Sequence, residues 1–259
     1  MNLHSPFTSA DLEELHTELF SRADRVVPMR DVFKGDTDAK VIGLRHDVDD
    51  NAGSFKTALR MAEWEFEHGY SSTYFLLHSA YYWDEALNMA GWFEELGHEV
   101  GIHVNAIAES LRTKKPPHMI LARALHELRN AGVRVVGAVA HGDPYCSEKL
   151  PGGGYRTRFV NDEMFLECPR PNLGRPDRLI EVKGVVCPLE PLPMETYGIE
   201  YQANWLPRGD YISDSSGHWN PREDSFERAC DHWSEAGQLH MLIHPDWWAG
   251  AFTPATVSV

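Results

Sequence analysis

Residues 44–50 read Leu44-Arg45-His46-Asp47-Val48-Asp49-Asp50, a run of ionisable side chains directly after the apolar Val41-Ile42-Gly43-Leu44. A strand ordinarily gives way to Gly, Asn or Ser in a turn, not to a histidine and three carboxylates. Side chains repeat every two residues along a strand, so Asp47 and Asp49 project from one face. Two carboxylates that close repel when both are ionised, and the pair calls for a cation. A divalent metal ion meets that need, with one carboxylate as ligand and the other left free as a base. A surface turn with scattered charge is the competing reading of a lone Asp-x-Asp.

The same chemistry recurs at the ends of the later apolar segments. His46, Asp47 and Asp49 close the first, His78 follows the second, and His103 and Asn105 close the third. His141 and Asp143 close the fourth, Asp214 a later one, and His244 and Asp246 the last. In a parallel barrel all of these ends lie on one face, where such folds keep their active sites. One histidine at a strand end is ordinarily structural or merely solvated. Several in one register point to a shared site.

The elements that must position them follow from periodicity. Residues 10–22 carry apolar positions at helical spacing, with Thr8 or Ser9 as cap. A strand is expected at 41–46, then a helix from Ser54 to about His68 closed by Gly69. Strands at 71–77 and 99–104 flank a helix at 84–96, and a helix at 117–130 precedes a strand within Val133–Ala140. Four consecutive β-α units imply parallel strands joined by right-handed crossovers. Residues 142–178, rich in Pro, Gly and Arg, read as a long loop region that builds part of a pocket. Further strands are expected near 179–186, 210–214 and 239–243, and a helix at 222–236. Seven or so parallel strands make a barrel or an incomplete barrel. No break in composition marks a second domain, so 1–259 reads as one domain with an N-terminal helical segment over 1–38.

Composition narrows the partners. A formal charge of −15 over 259 residues disfavours nucleic acid and anionic membrane surfaces and suits a small neutral or cationic substrate. No eighteen-residue apolar stretch and no basic-then-apolar leader is present, which gives the expectation of a cytoplasmic protein with no membrane insertion. The four cysteines (Cys146, Cys168, Cys187, Cys230) contain no C-x-x-C and read as buried thiols. No G-x-S-x-G elbow argues for a serine nucleophile. Pro151-Gly152-Gly153-Gly154 reads as a turn, because no phosphate-binding helix start follows it.

His46-Asp47-Val48-Asp49, Tyr74-Phe75-Leu76-Leu77, Gly97-His98-Glu99-Val100-Gly101-Ile102-His103 and Leu242-Ile243-His244-Pro245-Asp246 occur in that order. Together they resemble the polysaccharide deacetylase superfamily (the NodB homology domain, carbohydrate esterase family 4) over about residues 41–248. Ala140-His141-Gly142 and His244-Pro245-Asp246-Trp247-Trp248 are similar to a branch associated with surface-polysaccharide biosynthesis. The resemblance implies an irregular (β/α)7 barrel of mostly parallel strands. It also implies a divalent metal and the removal of N- or O-acetyl groups from a small sugar or a glycan. By it Asp47 is the general base, Asp49 and His103 are metal ligands and His244 is the general acid. Arg45 would tune Asp47 and Asp214 would orient His244, both from their nearness to strand ends. Zinc is the default ion for His and Asp donors, with cobalt, manganese and iron also fitting. His46, Asn105, Trp219 and Trp247 are the expected substrate-contacting residues.

One position departs from the family. The second histidine of its metal motif would fall at position 107, which here is Ile107. Catalytic zinc wants three protein ligands, and His141 is the first candidate for the third, followed by His78, Asn105 and His46. Three other functions compete with a sugar deacetylase: a C–N hydrolase acting on a non-sugar amide, a glycan-binding barrel with a decayed site, and a glycosyltransferase using Asp47-Val48-Asp49 as its metal motif. The last gives His103 and His244 no role.

Overall fold

The computed structural model describes residues 6–35, 40–149, 155–156, 160–169, 179–206, 210–215, 217–219, 233 and 237–252. In chain order these form α1 (Ser9–Glu18), β1 (Arg25–Val27), α2 (Met29–Lys34), β2 (Val41–Val48), α3 (Ser54–Glu67), β3 (Thr73–Leu77), α4 (Trp83–Glu95), β4 (Glu99–Val104), α5 (Ala106–Thr113) and α6 (Pro117–Asn130). There follow β5 (Gly137–Ala140), β6 (Glu148–Lys149), β7 (Tyr155–Arg156), β8 (Leu179–Val182), β9 (Val185–Pro188), β10 (Tyr201–Gln202), β11 (Asp210–Ser213) and β12 (Gln238–Ile243). The turn expected at Pro151–Gly154 and, apart from Trp233, the helix expected over 222–236 lie outside the described residues.

Seven strands follow one another in the order β10-β5-β4-β3-β2-β12-β11, and β1 pairs with β2 off that path. The class is the α/β barrel type that the β-α alternation predicts. β2 is its pivot. Residues Val41–His46 pair with Gln238–Ile243 of β12, while on the other edge β1 faces Val41–Gly43 and β3 faces Arg45–Val48. A parallel strand flanked on both edges and covered on both faces reads as a near-continuous apolar run. Val41, Ile42 and Leu44 obey that rule, and the buried Arg45, His46 and Asp47 break it.

Two expectations are corrected. The segment over 1–38 is not purely helical: Arg25-Val26-Val27, β-branched and ended by Pro28, adds β1 to the sheet, and α2 starts after the proline. Residues 179–186 do not supply a barrel strand. They belong to an antiparallel hairpin of β8 and β9 that turns at Lys183 (φ 52°) and Gly184 (φ 75°), the pair of positive φ values that a tight hairpin requires. The short β10 pairs with β5 in the sheet instead.

The chain divides into two compact units. The first comprises Met1–Leu76, Gly91–Val100 and Leu206–Val259. Its apolar core joins Leu12, Leu15 and Leu19 from α1 and its end to Ile42 and Leu44 of β2, the alternating Leu239, Met241 and Ile243 of β12, and Trp248. Thr8 starts α1, its backbone N–H donating to Asp11 Oδ2 at 2.7 Å. Gly43 is required where α2 rests on β2, because a Cβ there would lie 2.6 Å from Val32 Cγ2. The second unit comprises Leu77–Ala90 and Gly101–Trp205. In it α6 buries Leu121, Ala124, Leu125 and Leu128 at helical spacing, and α5 buries Ile107, Ala108 and Leu111.

Candidate active site

The first unit carries an acid–base cluster. Arg45 and Asp47 share a face of β2, with Arg45 Nε 3.6 Å from Asp47 Oδ1 and both side chains buried. His244 follows β12 directly, and Asp214 follows β11. Adjacent parallel strands in register (Ser213 opposite Leu242) bring these two residues together. His244 Nδ1–H donates to Asp214 Oδ1 at 2.7 Å. Burial opposes a charge on His244, but the Asp214 carboxylate, with Asp49 and Asp47 beyond it, outweighs that and lifts its pKa to about 10. The imidazole is therefore cationic at neutral pH, the form that a proton donor needs. Asp246 behaves in the opposite sense. Burial, then repulsion from Asp49, raise its pKa to about 7, against the attraction of His244 and a 2.7 Å hydrogen bond from Asn51 Nδ2.

His46 does not join this cluster. Alternation turns it to the other face of β2, where it is fully buried, bonds Glu65 of α3 at 2.7 Å and stacks on Tyr74. The expected substrate-contacting role is replaced by a place in the core. Trp219 and Trp247 are partly buried and pack against the apolar core of the first unit.

The second unit gathers the other expected residues. His103 Nε2 lies 3.0 Å from His141 Nδ1. His78 Nε2 accepts from the Asn105 backbone N–H at 2.9 Å, and burial, with His103 and His141 nearby, lowers the pKa of His78 to about 4. Asn105 is nearly fully buried, and its amide donates to Ser79 Oγ and Asp143 Oδ2, both at 2.8 Å. It is an internal strut. Two residues that sequence reasoning left without a role complete the frame: Arg112 clasps both oxygens of Asp143, and Asn161 Nδ2 donates to the His141 carbonyl at 3.0 Å and to Asn105 Oδ1 at 3.1 Å. No local pattern marks Asn161, which lies 56 residues from Asn105.

Asn161 also holds the backbone at position 107. Its Oδ1 accepts from the backbone N–H groups of Ile107 and Ala108 at 2.9 and 3.3 Å, capping the first turn of α5. The Ile107 side chain is fully buried in the apolar interior. Ile107→His, which would put a histidine where the resemblance places one, is therefore expected to destabilise the fold by about 2 kcal/mol or more through burial of a polar ring, without raising metal content. Thermal melts beside elemental analysis check this, and a gain of bound metal at unchanged stability would contradict it.

Among the described residues, Asp49, His103 and His141 form a group that could hold a metal ion, one donor atom from each lying within 4.8 Å of the others. It is the ligand set expected with His141 in the third place. The donor chemistry fits: two imidazole nitrogens and one carboxylate are a common zinc set, and nitrogens at 2.0–2.1 Å from a tetrahedral ion sit about 3.3 Å apart. In the structure His103 Nε2 and His141 Nδ1 are hydrogen-bonded to each other at 3.0 Å, a contact that a bound ion would replace. No helix among the described residues is long and apolar enough to cross a membrane. No protein-family model matches the chain, and no curated protein or solved structure matches it.

Proposed function

We propose that this chain is a metal-dependent hydrolase of the polysaccharide-deacetylase type, removing an acetyl group from an N- or O-acetylated sugar or glycan in the cytoplasm. The observation that carries the reading is the Asp49-His103-His141 group. A divalent ion, zinc by default, would polarise the acyl carbonyl and make water a better nucleophile at neutral pH. Asp47, left out of the ligand group and buried beside Arg45, takes the proton of the attacking water. His244, held cationic by Asp214, gives its proton to the departing nitrogen or oxygen. The described residues thus contain a base and an acid as separate side chains, as acyl transfer to water requires.

The test is elemental analysis joined to an acetate-release assay on N-acetylglucosamine oligomers. Wild-type protein is expected to hold about one equivalent of zinc and His141→Ala less than about a tenth of that, since a three-ligand site that loses one ligand holds its ion poorly. Activity should vanish with chelator and return with the ion. Wild-type protein that binds no metal on reloading, or that releases acetate equally well in chelator, would sink the reading.

A further inference from the structure

Asp214 is fully buried, and among the described residues the donors that its carboxylate meets come from one short segment, residues 244–248. The His244 backbone N–H reaches both oxygens at 3.0 and 2.9 Å. The His244 ring then takes Oδ1, and Trp248 Nε1–H donates to Oδ2 at 2.8 Å. An aspartate carboxylate has a broad, nearly two-fold torsion about its last bond. Without the indole, the backbone contacts alone would leave the carboxylate freer to tilt away from the imidazole plane. The turn Pro245–Trp248 that follows His244 brings the indole back to the carboxylate.

Trp248 is itself held. The Phe7 ring stacks on it at 4.4 Å with 8° between the planes, and Trp219 leans on both Phe7 (5.3 Å) and Trp248 (6.0 Å). The Phe7 backbone N–H donates to the Trp247 carbonyl at 3.3 Å. A chain of contacts thus runs from the segment ahead of α1, through an aromatic stack, to the carboxylate that faces His244.

We propose that Trp248 is a positioning residue for His244, acting through Asp214, and that Phe7 keeps Trp248 in place. The proposal rests on the reading of His244 as the general acid. It makes the residues before the first helix part of the catalytic apparatus and gives Trp219 a supporting place in the stack.

Trp248→Phe keeps an aromatic ring against Phe7 and removes the N–H donor. Its kcat for acetate release is expected to fall about tenfold, the effect of losing one buried hydrogen bond to a charged group. KM and bound zinc should stay at the wild-type level. The low-field Nδ1–H proton signal of His244, assigned by its loss in His244→Gln, should move. Phe7→Leu, which keeps apolar bulk but not the stack, should lower kcat in the same direction by less. A lowered melting temperature with kcat and the His244 signal unchanged would overturn the proposal and leave Trp248 as packing alone. If Trp248→Phe does not fold, Phe7→Leu supplies both readouts, and no change in either overturns the proposal. If the wild type releases no acetate from any acylated sugar, the hydrolase reading fails. The His244 signal in Trp248→Phe then still decides whether the indole sets the imidazole's hydrogen bond.

Discussion

His244→Gln protein is expected to release acetate about a hundred- to ten-thousandfold more slowly than wild type, the usual worth of a positioned general acid. An amine is a poor leaving group until it is protonated, and the surroundings of His244 keep its imidazole cationic. Asp214→Asn should act through the same ring in a distinguishable way. Asp214 raises the His244 pKa through its charge and its 2.7 Å hydrogen bond. An amide in its place removes the charge, so the imidazole loses its proton at lower pH. The basic limb of the kcat/KM profile should therefore move toward neutrality, by about one unit or more for loss of an adjacent buried charge. A profile of Asp214→Asn that superimposes on the wild-type profile, or a His244→Gln enzyme of normal rate, would remove His244 from the mechanism.

The parts of this arrangement that were legible in the sequence are those set by local rules. Helices α3, α4 and α6 announce themselves by apolar spacing and a glycine just past the end. Gly69, Gly97 and Gly132 all have positive φ, where a side chain would be strained. The ends of β2, β4, β5 and β12 carry Asp49, His103, His141 and His244 because a side chain at a strand end needs only the strand's position to be placed. What was not legible depends on partners remote in sequence. α5 is only eight residues long and follows β4 with just Asn105 between them, so its two turns are too few to stand out from the apolar run of the strand. β1 and β10 have three and two residues, too few for an alternating pattern. The hairpin of β8 and β9 reads as one strand because its turn, Lys183-Gly184, interrupts the β-rich run only briefly. His46 reads with the site from its neighbours in sequence, yet the two-residue period turns it to the opposite face, toward Glu65, a partner 19 residues away.

The buried pair of His46 and Glu65 sets the largest stability effect expected here. Glu65 is fully enclosed, with His46 Nε2 at 2.7 Å on one oxygen and Ser72 Oγ–H (2.6 Å) and Tyr74 O–H (3.0 Å) donating to the other. His98 Nδ1 stands 3.6 Å from that second oxygen. The same nitrogen accepts from the Ser72 backbone N–H at 3.2 Å, so the ring's proton sits on Nε2, which donates to the Ala62 carbonyl at 3.0 Å. His98 is thus neutral, in keeping with the lowering of its pKa by burial. Glu65→Ala would leave His46, Ser72 and Tyr74 without their acceptor and is expected to cost about 3–5 kcal/mol, a fall in melting temperature of about 10 °C for a chain of this size. Glu65→Gln isolates the charge. Burial alone would raise the Glu65 pKa, but His46, and after it the Ser72 hydroxyl that donates to the carboxylate, hold it below its ordinary value of 4.5. A carboxyl depressed in the folded state stabilises fully above the unfolded pKa and loses that contribution as pH falls through the folded one. The gap in melting temperature between wild type and Glu65→Gln should therefore hold steady near neutral pH and shrink below 4.5. A gap that stays the same down to about pH 3, well below the ordinary carboxylate range, would mean that Glu65 acts by shape and not by charge. Because His46 immediately precedes Asp47 on β2, a loosened network should also weaken zinc retention at Asp49, a second readout that separates local damage from global loss of fold.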